Sequence, residues 1–325
     1  MIQIRKKQLE EKFTLKCIGK KIWNVLFHLL SAALLLGLCF VLLYPLLYML
    51  SMAFRPASEA LDPSVIWVPK QFTLENIRLA FQYMDYGNSF RNSLTIHVIS
   101  SLLQVGICSI TAYGFARFRF RGSGILFALA IFTILVPSQL IITPLSLQFA
   151  YFDFFGLGNL GLLFGDHSWT ISLLDSPFSF YLPAMLGSGI QSGLFIFIFR
   201  QFFRGLPREL EDAAAIDGCG FFATFMRVIL PNALSVCLTA VILSVVWYWN
   251  DYFYSSMFVP NYPTVSLSLV NIGSAFAVDN HSYTPYDIAT LMQAGALLTT
   301  LPVLVMYVVL QRFFVQGVVH SGIVG

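Results

Sequence analysis

Apolar residues along this chain collect in six long blocks separated by polar and aromatic stretches. The blocks run near Ile22–Met52, Ser93–Ala116, Gly124–Phe149, Leu182–Phe203, Ala233–Val259 and Ile288–Phe313. A helix needs roughly 20 apolar residues to cross the hydrocarbon core of a bilayer. Each block meets that length, so the pattern predicts an all-α polytopic membrane protein with six transmembrane helices. Basic residues precede the first block as they precede a signal peptide. Its apolar run is too long for one, however, and no small-residue cleavage site follows before the polar stretch after Met52, so it reads as a retained anchor.

Composition agrees. Of 325 residues, 57% are hydrophobic and 11% charged, and the mean hydropathy is +0.75. A soluble domain carries about a quarter charged residues, so much of this surface must face lipid. A net charge of +3 is too small to point to a nucleic-acid partner. Five cysteines (Cys17, Cys39, Cys108, Cys219, Cys237) lack C-x-x-C spacing and avoid the long loops expected outside, which argues against a disulfide framework or a zinc site. His28, His97, His167, His281 and His320 form no ligand spacing, so no metal is expected.

Charge also orients the chain, because basic residues concentrate on the cytoplasmic side. Arg5, Lys6, Lys7, Lys12, Lys16, Lys20 and Lys21 precede the first block. Arg117, Arg119 and Arg121 follow the second, Arg200, Arg204, Arg208 and Arg227 run from the end of the fourth to the approach of the fifth, and Arg312 closes the sixth. Only Arg55, Lys70, Arg78 and Arg91 fall on the other side. That other side leans acidic, with Glu59, Asp62, Glu75, Asp85, Asp153, Asp166, Asp175, Asp279 and Asp287. Both termini are therefore expected in the cytoplasm. Residues 1–21 read as a basic cytoplasmic tail and 22–325 as one membrane domain, with no repeat, linker or soluble insert.

The most informative stretch lies between the fourth and fifth blocks: Gly205-Leu-Pro-Arg-Glu-Leu-Glu-Asp-Ala-Ala-Ala-Ile-Asp-Gly218. Pro207 suits a first helical turn. Glu209, Glu211 and Asp212 sit where the helix dipole favours negative charge. Ala213, Ala214 and Ala215 are strong helix formers without bulk, and Gly218 supplies a left-handed stop. An apolar stretch, Phe221–Leu230, then leads to Pro231 and the fifth span. A short helix with an alanine face and acidic residues, held at the cytoplasmic surface, is built to dock on another protein.

Asp212-Ala213-Ala214, Gly218 and Leu230-Pro231 resemble the EAA loop of binding-protein-dependent ABC importer permeases. Leu206-Pro207, Leu210-Glu211 and Ile216-Asp217 look like the carbohydrate-uptake branch, similar to the second permease of maltose-type systems. Further matches are Phe72-Thr-Leu-Glu-Asn76, Asn92-Ser93, Pro137 with Pro144, Trp249-Asn250-Asp251 and Gln311-Arg-Phe-Phe-Val-Gln-Gly317, so the resemblance spans nearly the whole chain. Two features depart from the pattern: Asp212 replaces the usual glutamate, and Gly161–Pro177 resembles an insertion.

The resemblance implies a type I importer fold in a bacterial cell membrane, with a coupling segment over 205–231 in which Glu211, Asp212, Ala213, Ala214, Asp217 and Gly218 engage a separate ATPase. ATP is then bound and hydrolysed by the partner ATPase, and this chain needs no cofactor and is no enzyme. The implied partners are a second permease, two ATPase copies and an extracellular solute-binding protein. The implied cargo is a sugar or oligosaccharide, with this chain forming half of the path.

Other candidates carry less. Gly156-Leu-Gly-Asn-Leu-Gly161 matches a dinucleotide fingerprint literally but lies in an outer loop without the strand–helix frame, so it reads as a turn. No phosphate-binding P-loop motif occurs. Pro137 and Pro144 should kink the third span, and Ser138, Gln139 and Thr143 between or beside them are candidates for the solute path. Asp251, flanked by Trp249 and Asn250, is the one carboxylate expected within a span; intramembrane charge is costly and often functional, while an interfacial anchor is the competing reading. Gly189 and Gly193 allow close helix packing. An ion-driven secondary transporter is the runner-up, but inverted repeats and multiple buried carboxylates are missing. An ABC permease for a non-sugar solute is a third reading.

Overall fold

The computed structural model describes residues 2–153 and 170–322, with side chains described between Trp23 and Gln311 apart from Ser138. The Gly156–Gly161 turn and most of the Gly161–Pro177 segment lie outside the described residues. Among the described residues the secondary structure is helical, with one isolated bridge between Phe152 and Ile171.

Three helices are long and apolar enough to cross a bilayer unbroken. They are α1 (Ile2–Ala53), α3 (Tyr86–Arg117) and the last helix, α14 (Pro285–Gly322). Two further predicted spans are bent. The third breaks at Val136–Pro137 into α4 (Ser123–Leu135) and α5 (Ser138–Ala150), whose axes differ by 104°. Val136 is extended, as a residue preceding proline prefers to be. The fifth is approached by α9 (Phe221–Thr224), a π-helical turn (Phe225–Ile229) and α10 (Leu230–Asn232), then bends by 80° into α11 (Leu234–Trp249). Pro231 has no N–H to continue the helical ladder, which accounts for the widened turn just before it.

The fourth predicted span differs from expectation. Leu182–Phe203 is not one helix but the end of α6 (Phe178–Met185) and most of α7 (Ser192–Gly205), and neither is long enough to span alone. Gly187 (φ 71°) and Gln191 (φ 59°) take left-handed conformations that no helix continues through. Close packing fixes the break: a Cβ on Gly189 would overlap the Tyr248 hydroxyl, and one on Gly193 the Ala130 carbonyl oxygen. The Gly189/Gly193 pair is thus a packing device, as its spacing predicts.

Three buried clusters unite these helices. One joins α3, α7 and α11 through Cys108, Ala112, Phe195, Phe199, Phe203 and Val236. A second joins α2 (Glu75–Tyr83), α11, α13 (Val265–Asp279) and α14 through Ala80, Met84, Trp249, Ile272 and Leu291. A third seats α5 and α6 on α12 (Phe253–Phe258) through Ile142, Phe149, Phe180 and Phe258. Two of the sequence matches prove to be staples for the same assembly. Asn76 Nδ2 donates to the carbonyls of Ala53 and Arg55 at 3.2 and 2.7 Å. Asn92 Nδ2 donates to Pro263 O at 3.1 Å, and Ser93 Oγ accepts from Val265 N at 2.8 Å.

Candidate functional site

The segment singled out by sequence forms α8 (Glu209–Ile216), bounded as its residues require. Glu209, Glu211 and Asp212 occupy the first turn. Pro207 lies just ahead of the helix instead of inside its first turn. At the far end Gly218 is left-handed (φ 79°). Its N–H donates to Ala215 O at 3.1 Å, and Cys219 N–H donates to Ala214 O at 2.9 Å. That pair of bonds is the Schellman closure, which ends a helix cleanly and redirects the chain.

α8 is anchored on one side and open on the other. Ala214 is buried, and Glu211 turns toward its own chain, where Arg117 Nε at the end of α3 lies 2.7 Å from Glu211 Oε1. The two side chains are only 7% and 22% exposed. The contact is ionic and off the hydrogen-bond axis. Arg117 Nη2 donates to Leu206 O at 2.9 Å, which ties the entry of the segment to the same arginine. The opposite side has no such anchoring: Asp212, Ala213, Ala215, Ile216 and Asp217 are all exposed, Ile216 at 87%. Phe221 and Phe222, just after the stop, are exposed as well. Of the six predicted docking residues, Asp212, Ala213, Asp217 and Gly218 therefore lie open, whereas Glu211 and Ala214 hold the helix to its own body. Arg117 and Ile216 were missed. Arg117 stood out only as one of three basic residues marking a cytoplasmic loop, and nothing local reveals that it meets a residue 94 positions later.

The predicted path residues do not form one cluster. Gln139 and Thr143 are exposed on α5, while the Ser138 side chain lies outside the described residues. Trp249 is buried, donating from Nε1 to Thr299 O at 3.0 Å. Asn250 is exposed and donates to Val246 O at 2.9 Å. Asp251 was expected inside the fifth span, but α11 ends at Trp249 and Asp251 stands beyond it. Its carboxylate accepts from Tyr254 N at 3.3 Å and Ser255 N at 3.0 Å, capping the start of α12, and Ser266 Oγ donates to its carbonyl. Its side chain competes for backbone groups, as aspartate does at helix starts.

A bundle of broken and unbroken membrane helices that holds a short, outward-facing amphipathic helix on one face defines the permease class of transport protein. Residues 104–320 match the family described as binding-protein-dependent transport system inner membrane component, and this chain belongs to that family. It is the permease component of an ABC importer and not an enzyme. Asp212-Ala213-Ala214, Gly218 and α8 fit the family's EAA motif and coupling helix.

Curated relatives match over most of their length. The inner membrane ABC transporter permease protein YcjP of Escherichia coli is 28% identical over 290 residues, covering 88% of this chain and 92% of that one. The probable starch degradation products transport system permease protein AmyC of Thermoanaerobacterium thermosulfurigenes is 28% identical over 290 residues (89% and 94%). The arabinooligosaccharides transport system permease protein AraQ of Halalkalibacterium halodurans is 26% identical over 291 (89% and 93%). A chain in the crystal structure of a bacterial ABC transporter involved in the import of the acidic polysaccharide alginate superposes with a TM-score of 0.67, covering 89% of this chain and 96% of that one. Its identity is 20%, so that likeness is one of fold.

Proposed function

We propose that this chain is one of two permeases enclosing the path of a sugar or oligosaccharide importer, and that α8 docks in a groove of a cytoplasmic ATPase subunit. Relatives named for starch degradation products and arabinooligosaccharides support the solute class. Both termini lie in the cytoplasm in this reading, supported by the clustering of basic residues. Closure of an ATPase pair requires two coupling helices, and one such segment is found here, so a second permease and two ATPase copies complete the assembly. The apolar window of α1 has no buried residue, which leaves it free for lipid and the second permease. ATP is hydrolysed on the partner, and an extracellular binding protein delivers the solute to the acidic outer face. Gln139, Thr143 and Asn250 face the path, and Trp249 and Asp251 hold the segment that carries Asn250.

The observation that carries the coupling is Ile216, an isoleucine left 87% exposed on a helix whose other side is held by a largely buried ion pair. An apolar residue so placed, beside Asp212 and Asp217, fits a groove that offers apolar contact and an arginine. Asp212→Asn and Ile216→Ser in the assembled transporter should each reduce ATPase retention and binding-protein-stimulated hydrolysis at least tenfold, with normal membrane insertion. Wild-type hydrolysis in both would overturn the coupling assignment. A cysteine at Arg208 that reacts with an impermeant maleimide from outside intact cells would overturn the orientation. A thermal-shift screen of the cognate binding protein against oligosaccharides tests the solute class.

A further inference from the structure

The loop between α1 and α2 leaves a membrane span and then folds back onto it. The Trp67 ring packs edge-on against Phe40 and Tyr44 of α1, with centroids 5.7 and 5.2 Å apart. Those residues lie eleven and seven positions before Ser51, so at about 1.5 Å per residue the indole sits roughly 10–17 Å down the helix from Ser51. That level belongs to the span Trp23–Ala53, whose apolar window has a mean hydropathy of 2.6 and no buried residue.

Irregular backbone at such a depth must have its polar groups satisfied by protein, because lipid supplies no partners. Arg55 meets this demand. It is 2% exposed; Nη1 donates to Val65 O at 3.0 Å and Nη2 to Ile66 O at 3.2 Å, while Nε donates to Ser51 O and Nη2 also to Ser51 Oγ. Glu59 accepts the N–H groups of Lys70 and Gln71 at 3.0 and 2.9 Å. Lys70 Nζ closes the neck of the loop on Asp62 at 2.6 Å. The Val65 and Ile66 carbonyls thus turn inward onto Arg55, and the exposed Ser64 and Lys70 gather with Asp62 at the neck of the loop, while Ile66 (56% exposed), Val68 (78% exposed) and one side of Trp67 turn outward.

We propose that the Pro63–Pro69 turn is immersed in the lipid bilayer at the boundary between headgroups and acyl chains of the outer leaflet, with Ile66, Trp67 and Val68 as the inserted side chains. Lipid is the occupant because the patch continues onto a belt of amphipathic rings. Tyr44 stacks on Tyr48 with centroids 6.4 Å apart, and Trp67 joins them at the same level. Trp and Tyr gather at that boundary, with the ring body in acyl chains and the polar edge toward headgroups. Set there, the turn acts as a depth stop for α1. The outer-leaflet assignment rests on the orientation proposed above, whereas the immersion does not.

The test is a nitroxide at Val68→Cys in the assembled transporter in nanodiscs, with the complex's other cysteines replaced, read by collision with oxygen and with a water-soluble nickel chelate. Immersion predicts an oxygen-to-nickel collision ratio several-fold above that of a label at the exposed Ser58, whichever way the chain is oriented. A ratio equal to that at Ser58 means a loop in water and overturns the proposal. Low collision with both reagents means a protein partner covers the turn, and overturns it too. If Val68→Cys fails to assemble, Ile66→Cys gives the same readout.

Discussion

Two connectors of this chain are pinned by largely buried arginines, and the two arginines are satisfied differently. Arg117 holds the start of the coupling segment by donating to Leu206 O and meets a carboxylate, Glu211, on α8. Arg55 holds the outer loop through backbone carbonyls and a serine hydroxyl, and among the described residues no carboxylate forms an ion pair with it. Carbonyls belong to the chain at every residue, so the outer clamp requires a particular backbone path and nothing of the side chains at Val65 and Ile66. The inner clamp requires a specific side chain on the docking helix itself. The outer loop is therefore fixed as a shape, whereas α8 is fixed as a helix with one defined face turned in. That leaves the other face to a partner.

The largest expected effect comes from breaking the inner clamp on one side. Arg117→Met leaves the Glu211 carboxylate without its cationic partner, with the Tyr113 hydroxyl still beside it. Removing one partner of a buried pair costs about 3–5 kcal/mol, and the lower end applies here because Glu211 retains some water contact. Thermal unfolding of the purified complex should show the loss. The double substitution Arg117→Met with Glu211→Leu should recover most of it, since apolar replacement of both partners is often nearly neutral. A double variant no more stable than Arg117→Met alone would mean that the pair is not the origin of the loss.

Arg55→Met comes next, at about 2–3 kcal/mol, the cost of leaving the Val65 and Ile66 carbonyls without their donor. Added protease should then nick the chain between Leu61 and Lys70. No carboxylate substitution should rescue it, because no carboxylate balances Arg55; rescue by Glu59→Gln would erase the contrast between the two clamps.

Gly218→Val should cost roughly 1–3 kcal/mol, the strain of a non-glycine residue in the left-handed region, while Gly218→Asn should cost less, since asparagine visits that region more readily. Stimulated ATP hydrolysis should fall in that order, and equal rates for both would remove the Schellman closure from the account of coupling.

The smallest effect on the chain itself is that of Asp212→Asn. A charge in the first turn of α8 is worth about 0.3–1 kcal/mol to the helix. The transporter's unfolding temperature should barely change, so any large loss of hydrolysis in that variant belongs to the partner contact. A matching fall in unfolding temperature would return Asp212 to a purely structural role.

Much of the coupling segment was legible because its signals are local. A proline ahead of it, three carboxylates in its first turn, three alanines and a glycine beyond its end are decided within a dozen residues, and α8 ends where they say. The third span's break was legible for the same reason, Pro137 acting on its own neighbours. Asp251 was misplaced because hydropathy cannot tell the last turn of a span from the first residues past it. Whether the side chain caps the next helix depends on where the following backbone goes. The break at Leu186–Gln191 was hidden for a related reason. Its residues are apolar enough to read as span, and only contact with Tyr248, Gln104 and Ala130 makes the glycines necessary.

Chain sequence by itself determined the apolar blocks, the membrane class, the sidedness expected from lysine and arginine, and the end of α8 at Gly218. These follow from partition between lipid and water and from backbone preferences over a few residues. Tertiary structure alone decided which face of α8 is turned in and that Arg55 folds its loop back against α1. It also decided that Trp249 is buried while Asn250 is exposed. Those outcomes depend on pairs far apart in the chain, such as Arg117 with Glu211 or Trp249 with Thr299. No propensity records such pairs, because the energy of each exists only once the helices have packed.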